Sequence, residues 1–236
     1  MQKILDELVE KLRQAHGADL LSVILYGSAA AGDLHTGFSD LNVFCVLRRI
    51  TPKELASSEP IFRWWRDKGN PAPLLMSSDE VARSTDCFPI EFHDMRQSRR
   101  LLYGTDVVEG MEIDDRFYRA YVEHELRAKL LRLRQKAAAV LNDDELLLRL
   151  MADSLSTFCV LARHGLRLGG HVHPMTKRDT IAGIRTHFGV PGAAFDTLLD
   201  LREGRIKPKT VRSASLFADY LREIEALVSS VDTISN

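Results

Sequence analysis

The chain has 236 residues, 45% apolar, 28% charged and 7% aromatic, a mixture that excludes disordered and collagen-like chains. Its 32 Lys plus Arg balance 33 Asp plus Glu, for a formal net charge of -1, so no global field draws a polyanion or a membrane surface, and nucleic acid is not an expected partner. The uncharged run 20–32 is thirteen residues long and includes Gly27 and Gly32, short of the roughly 20 apolar residues of a membrane span.

The N-terminal segment sets Ile4, Leu5, Leu8 and Leu12 among acids and bases. That is the spacing of an amphipathic helix and not the pattern of a signal peptide, and the expected compartment is the cytoplasm. Residues 20–26, Leu-Leu-Ser-Val-Ile-Leu-Tyr, form an apolar, β-rich run that stops at Gly27-Ser28 and reads as a buried strand. Residues 41–47 form a second, entered through the polar segment 33–40 and left at Arg48-Arg49. Pro52 opens a helix that runs to about residue 68 and is stopped by Gly69-Asn70-Pro71. Residues 73–76 suggest a short strand and residues 88–93 a better one, with Pro89 near its start, where a missing N–H is tolerated.

Beyond Asp114 the pattern turns to long helices, at 116–141, 143–168, 176–187, 191–202 and 211–230. Asn142, followed three residues later by Glu145, predicts a reciprocal cap at the first junction, and Gly169-Gly170 ends the second long helix. The change of pattern predicts two domains, 1–108 and 109–236, with 104–112 as linker or packed loop. Cys45, Cys87 and Cys159 are far apart, each in an apolar stretch, and read as reduced core residues.

The segment that carries chemistry starts where the first strand ends. Gly27-Ser28 leads into small residues, which suggests a tight turn at a helix N-terminus, where backbone N–H groups and the Ser28 hydroxyl hold phosphate oxygens. Ser39-Asp40-Leu41-Asn42 then enters the second strand. A strand period of two places Asp40 and Asn42 on one face and Leu41 and Val43 on the other. A third polar group, Glu91, stands between Ile90 and Phe92 on the expected strand 88–93.

On these residues the chain resembles the nucleotidyltransferase superfamily related to DNA polymerase β, especially its small bacterial members and the aminoglycoside nucleotidyltransferases. The resemblance covers roughly residues 20–105, where Tyr103-Gly104 matches the family's usual domain end. It implies an α/β fold: a small mixed β-sheet domain with flanking helices, followed by an α-helical bundle domain. It further implies that Gly27 and Ser28, with Ser39, bind a nucleoside triphosphate, and that Asp40 and residue 42 bind Mg2+. Glu91 then completes the metal site or acts as base. The implied reaction moves a nucleoside monophosphate, AMP from ATP, to a hydroxyl of a small molecule or protein, and a homo-oligomer is compatible with it.

The chain departs from the family at position 42, where Asn42 replaces an acid. Magnesium prefers carboxylate oxygens, and an amide brings no charge. Three outcomes stay open: one metal on Asp40 and Glu91 with slower chemistry, nucleotide binding without turnover, or rescue by a nearby acid. Asp94 is the obvious rescuer, yet three positions from Glu91 on a regular strand it points to the opposite face.

Weaker constellations have plainer readings. Arg127, Lys129, Arg132, Arg134 and Lys136 read as a solvated helix face, with lining of an anion cleft as the alternative. His171 and His173 lack a third ligand at a usual spacing. Arg119 with His124, and Arg167 with His173, have the spacing of the ribonuclease motif in HEPN domains, a match expected by chance in a chain this rich in arginine. Of Trp64 and Trp65, one is expected in the core and one at a surface contact.

Overall fold

Helix α1 (Gln2–His16) buries Leu5, Leu8 and Leu12, the stripe that a 3.6-residue period produces. The computed structural model describes residues 1–27, 29–30, 41–172, 174 and 176–234. A short 3-10 turn (Gly17–Asp19) leads into β1 (Leu20–Tyr26), which pairs antiparallel with β2 (Asn42–Leu47), Tyr26 opposite Asn42 and Ile24 opposite Phe44. Helix α2 (Pro52–Asp67) begins with proline in its first turn, and the Glu54 carboxylate accepts the Thr51 N–H at 2.9 Å. β3 (Leu74–Ser77) lies parallel to β2, and α3 (Ser78–Arg83) and α4 (Pro89–Gln97) follow. β4 (Arg99–Gly104) pairs antiparallel with β1, giving a mixed four-stranded sheet in the order β3-β2-β1-β4.

The strand period of two sorts side chains onto two faces. Val23, Leu25, Val43, Cys45 and Leu47 pack with Leu5, Leu8 and Leu12 of α1 and with Ile61 and Trp65 of α2. Ile24, Phe44 and Val46 pack with Val81 of α3 and with Phe92 and Met95 of α4. Helices therefore cover both sides of the sheet, and each strand of the β1–β2 pair is apolar on both faces.

Three expectations change. Residues 88–93 are not a strand: Pro89 is the first residue of α4, a position where its fixed φ and missing N–H suit a helix as well as a strand start. The strand is the next segment, β4, where Gly104 (φ 77) lets the chain cross β1 closely; a Cβ there would stand 2.0 Å from the Leu21 carbonyl oxygen. Cys87 is exposed, whereas Cys45 and Cys159 are buried, and all three are free thiols. The cap at the start of the second long helix comes from Asp143, not Asn142, its side chain accepting the Leu146 N–H at 2.9 Å.

Contacts divide the chain into two compact units, Met1–Asp115 and Arg116–Asn236. The second is helical: α5 (Tyr118–Ala138), α6 (Asp144–Leu168), α7 (Lys177–Phe188), α8 (Ala193–Arg202) and α9 (Ser213–Asp232). α6 packs against all four others and is the bundle's central helix. Tyr220 of α9 sits edge-on to Phe158 of α6 and Phe195 of α8, at centroid distances of 5.9 and 5.1 Å. Among the described residues no helix is long and apolar enough to cross a membrane.

One buried acid ties two of these helices together. Glu223 of α9 accepts the Ala194 N–H at 3.1 Å and the Phe195 N–H at 3.4 Å, serving as a cap for α8 from another helix, since Gly192 has no side chain to do so. Burial pushes the Glu223 carboxyl above the ordinary glutamate range, and the backbone N–H groups only partly offset this. Glu223→Ala should therefore lose about 1–2 kcal/mol of stability in urea unfolding. Glu223→Gln keeps an acceptor without a desolvated charge and should match or exceed the wild type at pH 7. Because the folded-state pKa is raised, the wild type should gain on Glu223→Gln as pH falls through that pKa toward the ordinary glutamate range.

Candidate active site

β1 ends in Tyr26, and the chain turns sharply at Gly27, whose φ of 77° belongs to the left-handed region. The Gly27 N–H donates to the Ser98 carbonyl at 3.2 Å, and its own carbonyl accepts the Ala30 N–H at 3.0 Å. This fastens the turn to the end of α4 on one side and closes it on the other. Asn42 opens β2 opposite Tyr26. Its amide lies against the turn: a methyl on Gly27 would meet Asn42 Nδ2 at 3.4 Å.

Glu91 comes from the first turn of α4 and not from a strand. Helical spacing changes what stands beside it. Phe92 and Met95 go down into the sheet, Phe92 edge-on to Phe44 with centroids 6.3 Å apart. Glu91 and Asp94, both half-buried, are three residues apart on a helix and so share a face, with Cβ atoms about 5–6 Å apart. Both act on Tyr26, whose phenol is pushed up to about 12 by burial first and then by the charges of Glu91 and Asp94.

The structure sets the Asn42 amide against the Gly27 turn, and Glu91 is close enough to Tyr26 for its charge to act on the phenol; Ser28, Ser39 and Asp40 lie outside the described residues. Among the described residues no group of three His, Cys, Asp or Glu is placed to hold a metal ion. The Glu91 carboxylate and the Asn42 amide carry hard oxygen donors, the type that a cation such as Mg2+ takes. Strand reasoning named Asp94 but set it on the face opposite Glu91, and it did not single out Tyr26. The available signal was Pro89 followed by apolar residues at Phe92 and Met95, a spacing of three that a strand cannot bury on one face.

The weaker constellations resolve as surface or core. On α5, Arg127 pairs with Glu123 (2.7 Å), Lys129 with Glu125 (3.2 Å) and Arg134 with Glu225 (2.5 Å). The basic face is largely neutralised by its own unit. His171 stacks on His187 at 3.8 Å, and His173 lies outside the described residues. Arg119 donates to Glu123 at 3.0 Å. Trp65 is fully buried, and Lys11 sits over the Trp64 ring at 5.0 Å. A cavity of about 320 Å³ beside α1 is lined by Asp6, Glu10, Arg13 and Arg100, two charges of each sign, on the sheet face away from Glu91.

No protein-family model matches the chain, and no curated protein matches it significantly. Among solved structures it is similar to spectinomycin adenyltransferase AAD(9) from Enterococcus faecialis with ATP and spectinomycin: 13% identity, 96% of this chain, 99% of that one, TM-score 0.60. A second match is to the tri-AMPylated Shewanella oneidensis HEPN toxin in complex with MNT antitoxin, at 13% identity, 61% of this chain, 98% of that one and TM-score 0.30. The likeness to the adenyltransferase extends over both units and shows a shared fold.

The turn at Gly27 is testable by itself. Gly27→Ala forces a side chain into the left-handed region beside Asn42 and should cost about 1–2 kcal/mol in chemical denaturation.

Proposed function

We propose that the chain transfers AMP from ATP to a hydroxyl of a small molecule. The observation that carries this reading is the acid-bearing helix α4 fastened beside the Gly27 turn at the end of the sheet. The chain's shared fold with an adenyltransferase solved with ATP and spectinomycin supports it. Gly27 and Ser28 would receive the β and γ phosphates, since a tight turn presents backbone N–H groups to anionic oxygens. Asp40 and Asn42 would hold Mg2+, which when bound neutralises triphosphate charge.

The transfer is a displacement at phosphorus. The acceptor hydroxyl oxygen forms a bond to the α-phosphorus, the bond from that phosphorus to the bridging α–β oxygen breaks, and pyrophosphate leaves with the electron pair. Glu91, ionised, takes the hydroxyl proton as general base. The chain's own contribution is positioning: the turn fixes the phosphates, and α4 sets the base at a fixed height above the sheet.

Asn42 favours a second reading, nucleotide binding without turnover, because the family's second acid is missing there. Thermal unfolding with ATP, GTP, CTP and UTP, each with and without Mg2+, tests binding. At about 100 times its Kd a nucleotide stabilises by roughly 2.7 kcal/mol, and the resulting rise in Tm should need Mg2+ and disappear in Asp40→Asn. Transfer of label from α-phosphate-labelled ATP to a panel of aminocyclitol and other polyhydroxyl acceptors tests turnover. Glu91→Gln should keep the thermal shift and lose about 10²- to 10⁴-fold in kcat. A shift with no labelled product from any acceptor would select the second reading, and no shift with any nucleotide would sink both.

A further inference from the structure

We infer that the cavity between α1 and β4 is a binding site for a small amino-carboxylate, held through its carboxylate by Arg100. The site lies on the sheet face away from Glu91 and does not depend on the nucleotide reading.

β4 is an edge strand. Its Arg100 stands opposite Leu25 of β1, and residues directly opposite in an antiparallel pair share a face of the sheet. Leu25 belongs to the cluster that Leu5, Leu8 and Leu12 of α1 cover. Arg100 therefore extends toward α1, where it lines a cavity of about 320 Å³ with Gln2, Asp6, Glu10 and Arg13. That volume is at the lower end for ligand pockets and fits a small molecule.

The polar groups of this cavity are unequally satisfied. Asp6 accepts from Gln2 Nε2 at 2.6 Å. Glu10 accepts from Gln14 Nε2 at 2.9 Å and from Arg13 Nη1 at 3.3 Å, and the Arg13 guanidinium also lies over the Tyr103 ring at 5.3 Å. Arg100 differs, because its Nε and Nη2 atoms are buried and have no hydrogen-bond partner. These two atoms form one edge of the planar guanidinium, the edge whose two N–H groups match the two oxygens of a carboxylate. A buried charged donor without an acceptor costs more than an ordinary lost hydrogen bond, and a ligand carboxylate would remove that cost.

The acids decide what the rest of the ligand carries. Asp6 and Glu10 are four residues apart on α1 and so share a face, and each carboxylate has lone pairs beyond those its own helix uses. They repel a second negative charge, which disfavours phosphate dianions and dicarboxylates, and they attract an ammonium. Gln2, Asp6, Glu10 and Arg13 are all exposed, so their side chains can turn to admit a ligand by rotamer changes alone.

The test titrates the full-length, 15N-labelled protein with glycine, β-alanine and 4-aminobutyrate, and with acetate, butyrate and butylamine as half-molecules. The readout is the Arg100 Nε–H resonance, assigned by its loss in Arg100→Lys, together with the backbone amides of α1 and β4. At least one amino-carboxylate should move these signals with a Kd below about 10 mM and bind about tenfold tighter than any half-molecule. Arg100→Lys keeps the charge but loses the fork, and should weaken binding about tenfold or more. Asp6→Asn with Glu10→Gln should reduce the amino-carboxylate to the affinity of the simple carboxylates. Signals that none of the probes moves, or an Arg100→Lys protein that binds within about twofold of the wild type, overturn the inference. Acetate or butyrate binding as tightly as every amino-carboxylate overturns the ligand class. Should Arg100→Lys fail to fold, the double variant at the two exposed acids decides: unchanged amino-carboxylate binding there overturns the site.

Discussion

The seating of α4 on the sheet is the interaction on which the rest of the candidate site depends. Phe92 and Met95 are both fully buried, and burying two such side chains is worth about 1.5–3 kcal/mol each. The apolar pair therefore dictates the helix's rotation, and the acids follow. The Gly27 N–H to Ser98 carbonyl bond then sets where α4 ends along β1. A one-residue slip of α4 would turn its apolar stripe by about 100° and take Phe92 and Met95 out of the cluster they fill.

The second unit solves a different problem, keeping five helices in a fixed arrangement without a sheet. Its centre is α6, and much of the specificity of the packing is polar. Glu223 caps α8 from α9, and Arg178 of α7 donates to both Asp200 and Glu203, at 2.6 Å each, near the end of α8. Both contacts bind helix α8, the ten-residue element, which is too short to be stable on its own. The longer helices α5, α6 and α9 each bury an apolar stripe against one another, and polar contacts such as Arg134 to Glu225 join them as well.

How far the sequence revealed this depends on whether a segment's period survives burial. β1 and β2 were legible because apolar runs bounded by Gly27 and by Arg48 have few alternatives, and the helices of the second unit were legible from their period. α4 was not: Phe-Pro-Ile-Glu-Phe-His is alternating over its first five residues, and proline fits the start of a strand or a helix. Only the three-residue spacing of Phe92 and Met95, one of them beyond the segment read as strand, separates the two. β4 was hidden for the converse reason. It begins with Arg99 and Arg100, and Arg99 is held by Asp106 at 2.8 Å, so an edge strand with ion-paired ends shows no apolar alternation. The Gly27 turn was legible as glycine chemistry, whereas the pairing of Tyr26 with Asn42 exists only after the sheet has formed.

The charges that the chain collects at this end of the sheet also bear on what can bind there. Tyr26 resists ionisation partly because Glu91 and Asp94 already supply negative charge around it. A nucleoside triphosphate entering the same region adds several more charges of the same sign, and repulsion between them grows as water is excluded. Backbone N–H groups at the Gly27 turn offer only partial positive charge. On the nucleotide-binding reading proposed above, a cation shared by the acids and the phosphates would offset that repulsion. In that arrangement the acids and the nucleotide would not compete: each would lower the cost of the other by holding the same ion, so nucleotide and cation would bind together or weakly.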